Sequence, residues 1–215
     1  MADAAIDNDA LLKGVSYGFI DDLLASIPGA PFDYGVLGTA KYVLPKVLKK
    51  RPPVRVEEAK SDLSTALESL EILEPTPDET LLAAQLEYEA QLLSLPMHVG
   101  ECQLIAILVV RALNHVLTGD KAALVAVGPV ASAAGIDPAK LSGKFICFEQ
   151  AVRFLMSSKG AAPIKSAICA ERDVDIAMRV CFSCASPEVE KESWLACLES
   201  HIEDLRSHSG DILVA

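Results

Sequence analysis

Two rhythms of apolar residues run along the chain: short runs of three or four, and longer stretches repeating at three-and-four spacing. Ala4 to Ile6 is a minimal apolar run followed at once by Asp7, Asn8 and Asp9. This predicts a strand, then a helix capped by Asp7 or Asn8, with Leu11, Leu12, Val15, Phe19, Ile20, Leu23 and Leu24 as its buried stripe and Pro28-Gly29 at its end. Tyr34 to Leu37 reads as a second strand. A helical segment follows from Thr39 to Lys50, which Pro45 must kink or restart, and Pro52-Pro53 breaks the chain. Residues 56–73 and 78–95 read as two helices joined by the Pro75-Thr76-Pro77 turn.

The next stretch organises the rest. Leu104, Ile105, Leu108, Val109 and Ala112 form the apolar stripe of a helix that starts near Glu101 and closes at Asn114. His115 to Leu117 is then a strand that ends in the tight turn Thr118-Gly119-Asp120. Lys121 to Ala134 predicts a helix interrupted at Gly128-Pro129, and Phe145 to Phe148 a strand before a helix opened by Glu149. Beyond residue 151 the helices 162–170, 174–184 and 189–206 leave no strand pattern, and the tail 207–215 reads as loosely held. Strands alternating with helices imply an α/β fold whose four- or five-stranded, mostly parallel sheet is covered on both faces, with a helical C-terminal lobe. The division expected is a domain over 1–155, with 56–95 as a helical insertion, and an extension over 156–215.

Composition adds limits. The apolar fraction is 51% and the mean hydropathy +0.32, but the longest charge-free stretch, 122–136, contains Gly128-Pro129 and is too short to span a bilayer. No basic-then-apolar leader is visible in MADAAIDNDALLK, so a soluble, cytoplasmic protein is expected. Six cysteines, at 102, 147, 169, 181, 184 and 197, sit in apolar contexts that suit reduced thiols better than a disulfide framework. A net charge of −11 argues against a basic surface that wraps nucleic acid. The charge is uneven, however: Lys41, Lys46, Lys49, Lys50, Arg51, Arg55 and Lys60 face only Glu57 and Glu58 in residues 41–60. That run reads first as a solvated helix end and second as a patch for phosphates.

The candidate chemistry lies in Asp7, Glu101 and Asp120. Asp7 and Asp120 each follow a strand, and Glu101 opens the helix leading into the Asp120 strand, so with those strands adjacent all three acids converge on one sheet edge. Clustered carboxylates repel unless a hard cation such as Mg²⁺ or Mn²⁺ sits among them. Such a site commonly hydrolyses phosphodiesters. The plainer reading is an N-cap, a helix-start acid and a turn acid.

Residues 5–12 (AIDNDALL), 100–106 (GECQLIA), 115–124 (HVLTGDKAAL) and 144–151 (KFICFEQA), taken in order, resemble the pattern of PIN-domain nucleases over about residues 3–155. The resemblance implies a PIN-like α/β/α sandwich and a Mg²⁺-dependent ribonuclease site. In it Asp7 is the first metal ligand, Glu101 heads the later helix and Asp120 follows its strand; Asp9 supports the first acid and Thr118 supplies a hydroxyl beside the last. It also implies RNA as substrate and, as for many small relatives, a toxin role with an antitoxin-like partner protein. One departure is evident: residues 39–48 carry no acid where the family usually places another. Asp9 compensates, Glu57 or Glu58 folds back, or the fold binds without cutting, while Lys41 and Lys46 neutralise the acids or contact substrate phosphates.

A second constellation, Cys181, Cys184, Cys197 and His201, has the C-x2-C-x12-C-x3-H spacing of a zinc site, although buried helical cysteines explain the same letters. His98 borders the acidic site or is simply exposed, and His115 starts a strand. No phosphate-binding glycine loop, nucleophile elbow or aromatic stacking platform is present. The expectation is therefore a Mg²⁺- or Mn²⁺-dependent endoribonuclease, with a non-catalytic PIN-like regulatory protein as the alternative. The apolar, cysteine-rich chain also makes a homodimer an expectation, and no membrane partner is expected.

Overall fold

The computed structural model describes residues 1–186, 188 and 190–215. Five strands, β1 (Ala4–Ile6), β2 (Tyr34–Leu37), β3 (Glu71–Leu73), β4 (Val116–Thr118) and β5 (Phe145–Cys147), form one all-parallel sheet in the order β3-β2-β1-β4-β5. Ala5 stands opposite Gly35 on one side and Val116 on the other, which places β1 at the centre. Successive strand residues point to opposite faces, and both faces are apolar. Ile6, Val36, Leu117 and Ile146 enter one core; Ala5, Leu37, Leu73, Val116 and Phe145 enter the other.

Helices α1 (Asn8–Tyr17), α2 (Ile20–Ala25), α3 (Ala40–Lys50), α4 (Val56–Ser69), α8 (Phe148–Lys159), α9 (Ala161–Ala170) and α10 (Ile176–Cys181) cover the first face. Helices α5 (Pro77–Leu92), α6 (Val99–Arg111) and α7 (Lys121–Ala133) cover the second. The last helix, α11 (Lys191–Ser209), serves both: Trp194 and Leu198 belong to the first core, Ile202 and Leu205 to the second. The C-terminal helices thus share cores with the sheet.

Several expectations are corrected. Residues 56–73 are not one helix: Leu70 turns extended (ψ 139°), and Glu71–Leu73 pairs with β2 as an edge strand. The stripe of Leu63, Leu67 and Leu70 concealed this, because its helical spacing runs up to the strand. Gly18, at φ 77°, divides the first helix into α1 and α2. Ala112, at φ 54°, ends α6 two residues before Asn114. α3 does not restart at Pro45, and Gly128-Pro129 does not interrupt α7: both helices run unbroken through their prolines. Pro45 and Lys41, whose carbonyl loses its usual partner, both face solvent. β4 is shifted by one residue to 116–118, and Phe148 begins α8.

The expected helix at 174–184 is only the short α10. The expected start of the last helix, at Pro187 and Val189, lies outside the described residues. The tail is not loosely held: Leu213 is 6% exposed and bridges to Phe145 in parallel, and the Val214 amide donates to the Phe145 carbonyl at 2.8 Å. The cysteines are not all reduced either, since Cys169 and Cys184 form a disulfide. No helix is long and apolar enough to cross a membrane among the described residues.

Gly35 shows how tightly the second core meets the sheet. A methyl group there would stand 2.7 Å from Leu73 Cδ2 and 3.0 Å from Ala2 Cβ. Gly35→Ala is expected to destabilise the fold by about 1–3 kcal/mol through overpacking, seen as a lower urea midpoint at unchanged slope.

Candidate functional site

The C-terminal ends of β1 and β4 lie side by side and deliver Asp7 and the Thr118-Gly119-Asp120 turn to one edge. Asp7 caps α1, its Oδ2 accepting from the Asp9 amide at 3.4 Å. Asp120 caps α7, its Oδ1 accepting from the Ala123 amide at 2.9 Å. Glu101, in the first turn of α6, accepts from the His98 amide through Oε2 at 2.6 Å. Thr118 joins two of the acids: its Oγ1 donates to Asp7 Oδ2 at 3.3 Å and accepts from the Asp120 amide at 3.1 Å. The plain reading as helix-start and cap residues holds for all three side chains, and Thr118 links Asp7 to the Asp120 backbone.

Each acid commits an oxygen to its helix, while Glu101 Oε1 and Asp120 Oδ2 take no hydrogen bond or ion pair among the described residues; the Asp7 carboxylate is held by the Asn8 amide as well as by that of Asp9. The positive ends of three helices partly offset the repulsion between the carboxylates. Asp7 still experiences it. Burial, and then the charges of Glu101 and Asp9, push its carboxyl up to about 6, against smaller opposing effects of the Asn8 and Asp9 amides. Asp7, Glu101 and Thr118 line a cavity of about 20 Å³ together with Leu104, Ile105, Leu124 and Phe145. It has room for one water or ion. Asp120 does not line this cavity, and the ligand oxygens of the three acids do not all lie within 4.8 Å of one another.

The other expected site residues are dispersed. Asp9 pairs with Lys13 at 2.7 Å, and Lys13 also meets Asp175 at 2.6 Å. Asp9 therefore carries its own cation, and a methyl group at Gly119 would strike its Oδ2. Lys41 and Lys46 are exposed on α3 and form no ion pair with any of the acids: Lys41 lies over the Tyr42 ring at 5.1 Å, and Lys46 lines a shallow groove with Val43 and Arg51. Glu57 bonds Lys60 and Glu58 is exposed, so α3 and the start of α4 do not replace the absent acid.

Sequence reasoning passed over Lys13, Asp175, Lys121 and the role of Glu149. Only the Asp9–Lys13 pair left a trace, its i,i+4 spacing on α1. A cleft of about 690 Å³ opens on the Asp9 side, lined by Asp9, Lys13, Arg51, Glu171 and Arg172 among others. His98 is exposed and contributes its backbone. His115 is structural: it is 4% exposed, its Nε2 lies 2.6 Å from the Tyr34 hydroxyl, and burial lowers its pKa to about 4. The four-residue zinc set does not assemble, because Cys184 is bonded to Cys169; the donor atoms of Cys181, Cys197 and His201 do lie together, within 4.8 Å. No family model, curated protein or solved structure matches the chain.

Proposed function

We propose that this chain is a Mg²⁺- or Mn²⁺-dependent endoribonuclease with a PIN-like site formed by Asp7, Glu101 and Asp120. The observation that carries the reading is the division of labour within the Glu101 and Asp120 carboxylates: one oxygen holds a helix end, and the other is left for a ligand. Oxygen donors of this kind suit a hard cation, which when bound activates water and offsets charge on a phosphate. A site that pushes Asp7 upward without a metal is relieved by a cation beside it. Thr118 holds the Asp7 carboxylate beside the Asp120 backbone, and Leu104, Ile105 and Phe145 give the cavity an apolar wall.

RNA as the substrate and an antitoxin-like partner rest on the family resemblance. A second reading, a PIN-like protein that binds without cutting, is favoured by the acid-free α3 and by the pairing of Asp9 with Lys13. The two separate when purified protein and Asp120→Asn are incubated with a mixed labelled RNA pool in Mg²⁺, Mn²⁺ or EDTA. The nuclease reading expects metal-dependent cleavage that falls about a hundredfold or more in the variant, the scale of losing one group that stabilises transition-state charge. Intact RNA at high protein concentration, with metal binding still detected by calorimetry, would leave the binding protein.

A further inference from the structure

A second group of potential ligands lies away from the three acids, where α10, α11 and the first turns of α7 and α8 meet. Cys197 and His201 stand one helical turn apart on α11, and Cys181 ends α10. Their donor atoms all fall within 4.8 Å of one another. Beside them Glu149 is 2% exposed; its Oε1 meets Lys121 Nζ at 2.5 Å, and its Oε2 is buried with no hydrogen-bond partner of good geometry among the described residues, the buried Cys147 thiol being the group that interacts with the carboxylate from its other side. The carboxylate is close enough for its charge to act on Cys181. His201 Nδ1 lies 3.4 Å from Lys121 Nζ, a contact that a metal ion would replace.

We propose that Cys181, Cys197 and His201 bind a divalent cation of the zinc class, with a water in the fourth position and the Glu149 charge nearby. Two sulfurs and an imidazole select zinc over the hard cations of the acidic site. Charge also balances: two thiolates and Glu149 against Lys121 and the divalent ion sum to zero. Binding releases the two thiol protons to solvent and requires no oxidant. The sulfurs, now 2.6 Å apart, separate to the roughly 3.8 Å set by two zinc–sulfur bonds of about 2.3 Å at a tetrahedral angle. Cys197 and His201 are half-buried, which leaves a path for the metal. The ion would fasten α10 to α11.

The test uses the full chain, produced with added zinc and purified with a phosphine reductant and no chelator. Metal content is measured by mass spectrometry, and zinc is exchanged for cobalt to look for a thiolate-to-metal charge-transfer band. The proposal expects one zinc per chain and that band, with the band lost in Cys197→Ser and affinity falling about tenfold or more in His201→Asn and in Glu149→Gln. His201→Asn is a half-buried helical change, so its circular dichroism checks that the fold is kept. The band also separates this site from zinc held by Asp7, Glu101 and Asp120, which cannot produce it. Absence of zinc uptake by the folded protein overturns the proposal, as does binding unchanged in both α11 variants. A Cys181–Cys197 disulfide found by peptide mapping under these reducing conditions overturns it equally.

Discussion

Asp7→Asn is expected to stabilise the metal-free protein at neutral pH by about 3 kcal/mol and, on the proposed function, to abolish the metal-dependent cleavage. The native Asp7 carboxyl titrates near 6 against an ordinary 3.8, and each tenfold change in proton affinity corresponds to about 1.4 kcal/mol. Above pH 6 the folded protein holds an ionised carboxylate in a site that disfavours it, so the full penalty is present. As pH falls from 6 towards 3.8 the native state takes up the proton first, and the penalty fades. Asparagine never bears that charge and keeps an oxygen for the Asp9 amide, so its advantage is largest at neutral pH and disappears in acid.

His115 works in the opposite direction. Its folded pKa is lowered from 6.5 to about 4, so the stability of the neutral buried ring is present above 6.5 and is lost as pH falls through that window. In the wild-type protein the two slopes oppose each other. In Asp7→Asn the His115 slope stands alone, and stability should drop steeply below pH 6.5. Urea denaturation of both proteins in EDTA, from about pH 4 to about pH 8, reads both effects. A variant no more stable than wild type at neutral pH would show that Asp7 is not a strained, desolvated carboxylate.

Glu79→Ala carries the second large effect, a loss of about 3–5 kcal/mol. Glu79 is 1% exposed, and its two oxygens receive Arg111 Nε and Nη2, each at 2.8 Å. Oε2 also accepts from the Thr76 amide at 2.8 Å, closing the capping box of α5. The Arg111 guanidinium holds the Glu79 carboxyl below its usual range. Removing one partner of such a pair strands the other charge. Arg111 also donates to the Glu74 carbonyl at 2.9 Å just after β3, so the same change loosens the sheet edge. The joint replacement Glu79→Leu with Arg111→Met should recover much of the loss, because two apolar side chains strand no charge. If Glu79→Ala costs under 1 kcal/mol in thermal or urea unfolding, the pair is not a structural tie.

Four of the five strands were legible because each is an apolar run closed by turn or cap residues, as Ile6 is by Asp7 and Leu117 by Thr118-Gly119-Asp120. β3 was not. Glu71, Ile72 and Leu73 follow a helix whose leucines keep helical spacing to Leu70, and pairing with β2 decided the conformation where local pattern did not. Asp7, Glu101 and Asp120 were readable for the same local reason: an acid at a strand end or in a helix's first turn is a cap, and caps have sequence signatures. Lys13 with Asp175, Glu149 with Lys121, and Cys169 with Cys184 join elements far apart in sequence, and such pairs leave no periodic trace. Gly18 went unread because the apolar stripe passes through it unbroken.

The borders of the sheet bear on how this chain behaves in a crowd. An open parallel sheet offers bare amides and carbonyls at each outer strand, and any extended neighbour can dock there and seed aggregation. On one border the chain supplies its own blocker, since residues 211–214 lie along β5 through the Leu213 bridge and the Val214 and Gly143 hydrogen bonds. On the other, β3 is three residues long and exposes Ile72, with Glu71 within it and Glu74 just beyond. Shortness guards that side, and the Met1 amino group pairs with Glu71 along it at 3.4 Å. Association between molecules is thus opposed by a physical cover on one border and by a brief strand with an exposed ion pair on the other, and only that ion pair weakens as salt rises.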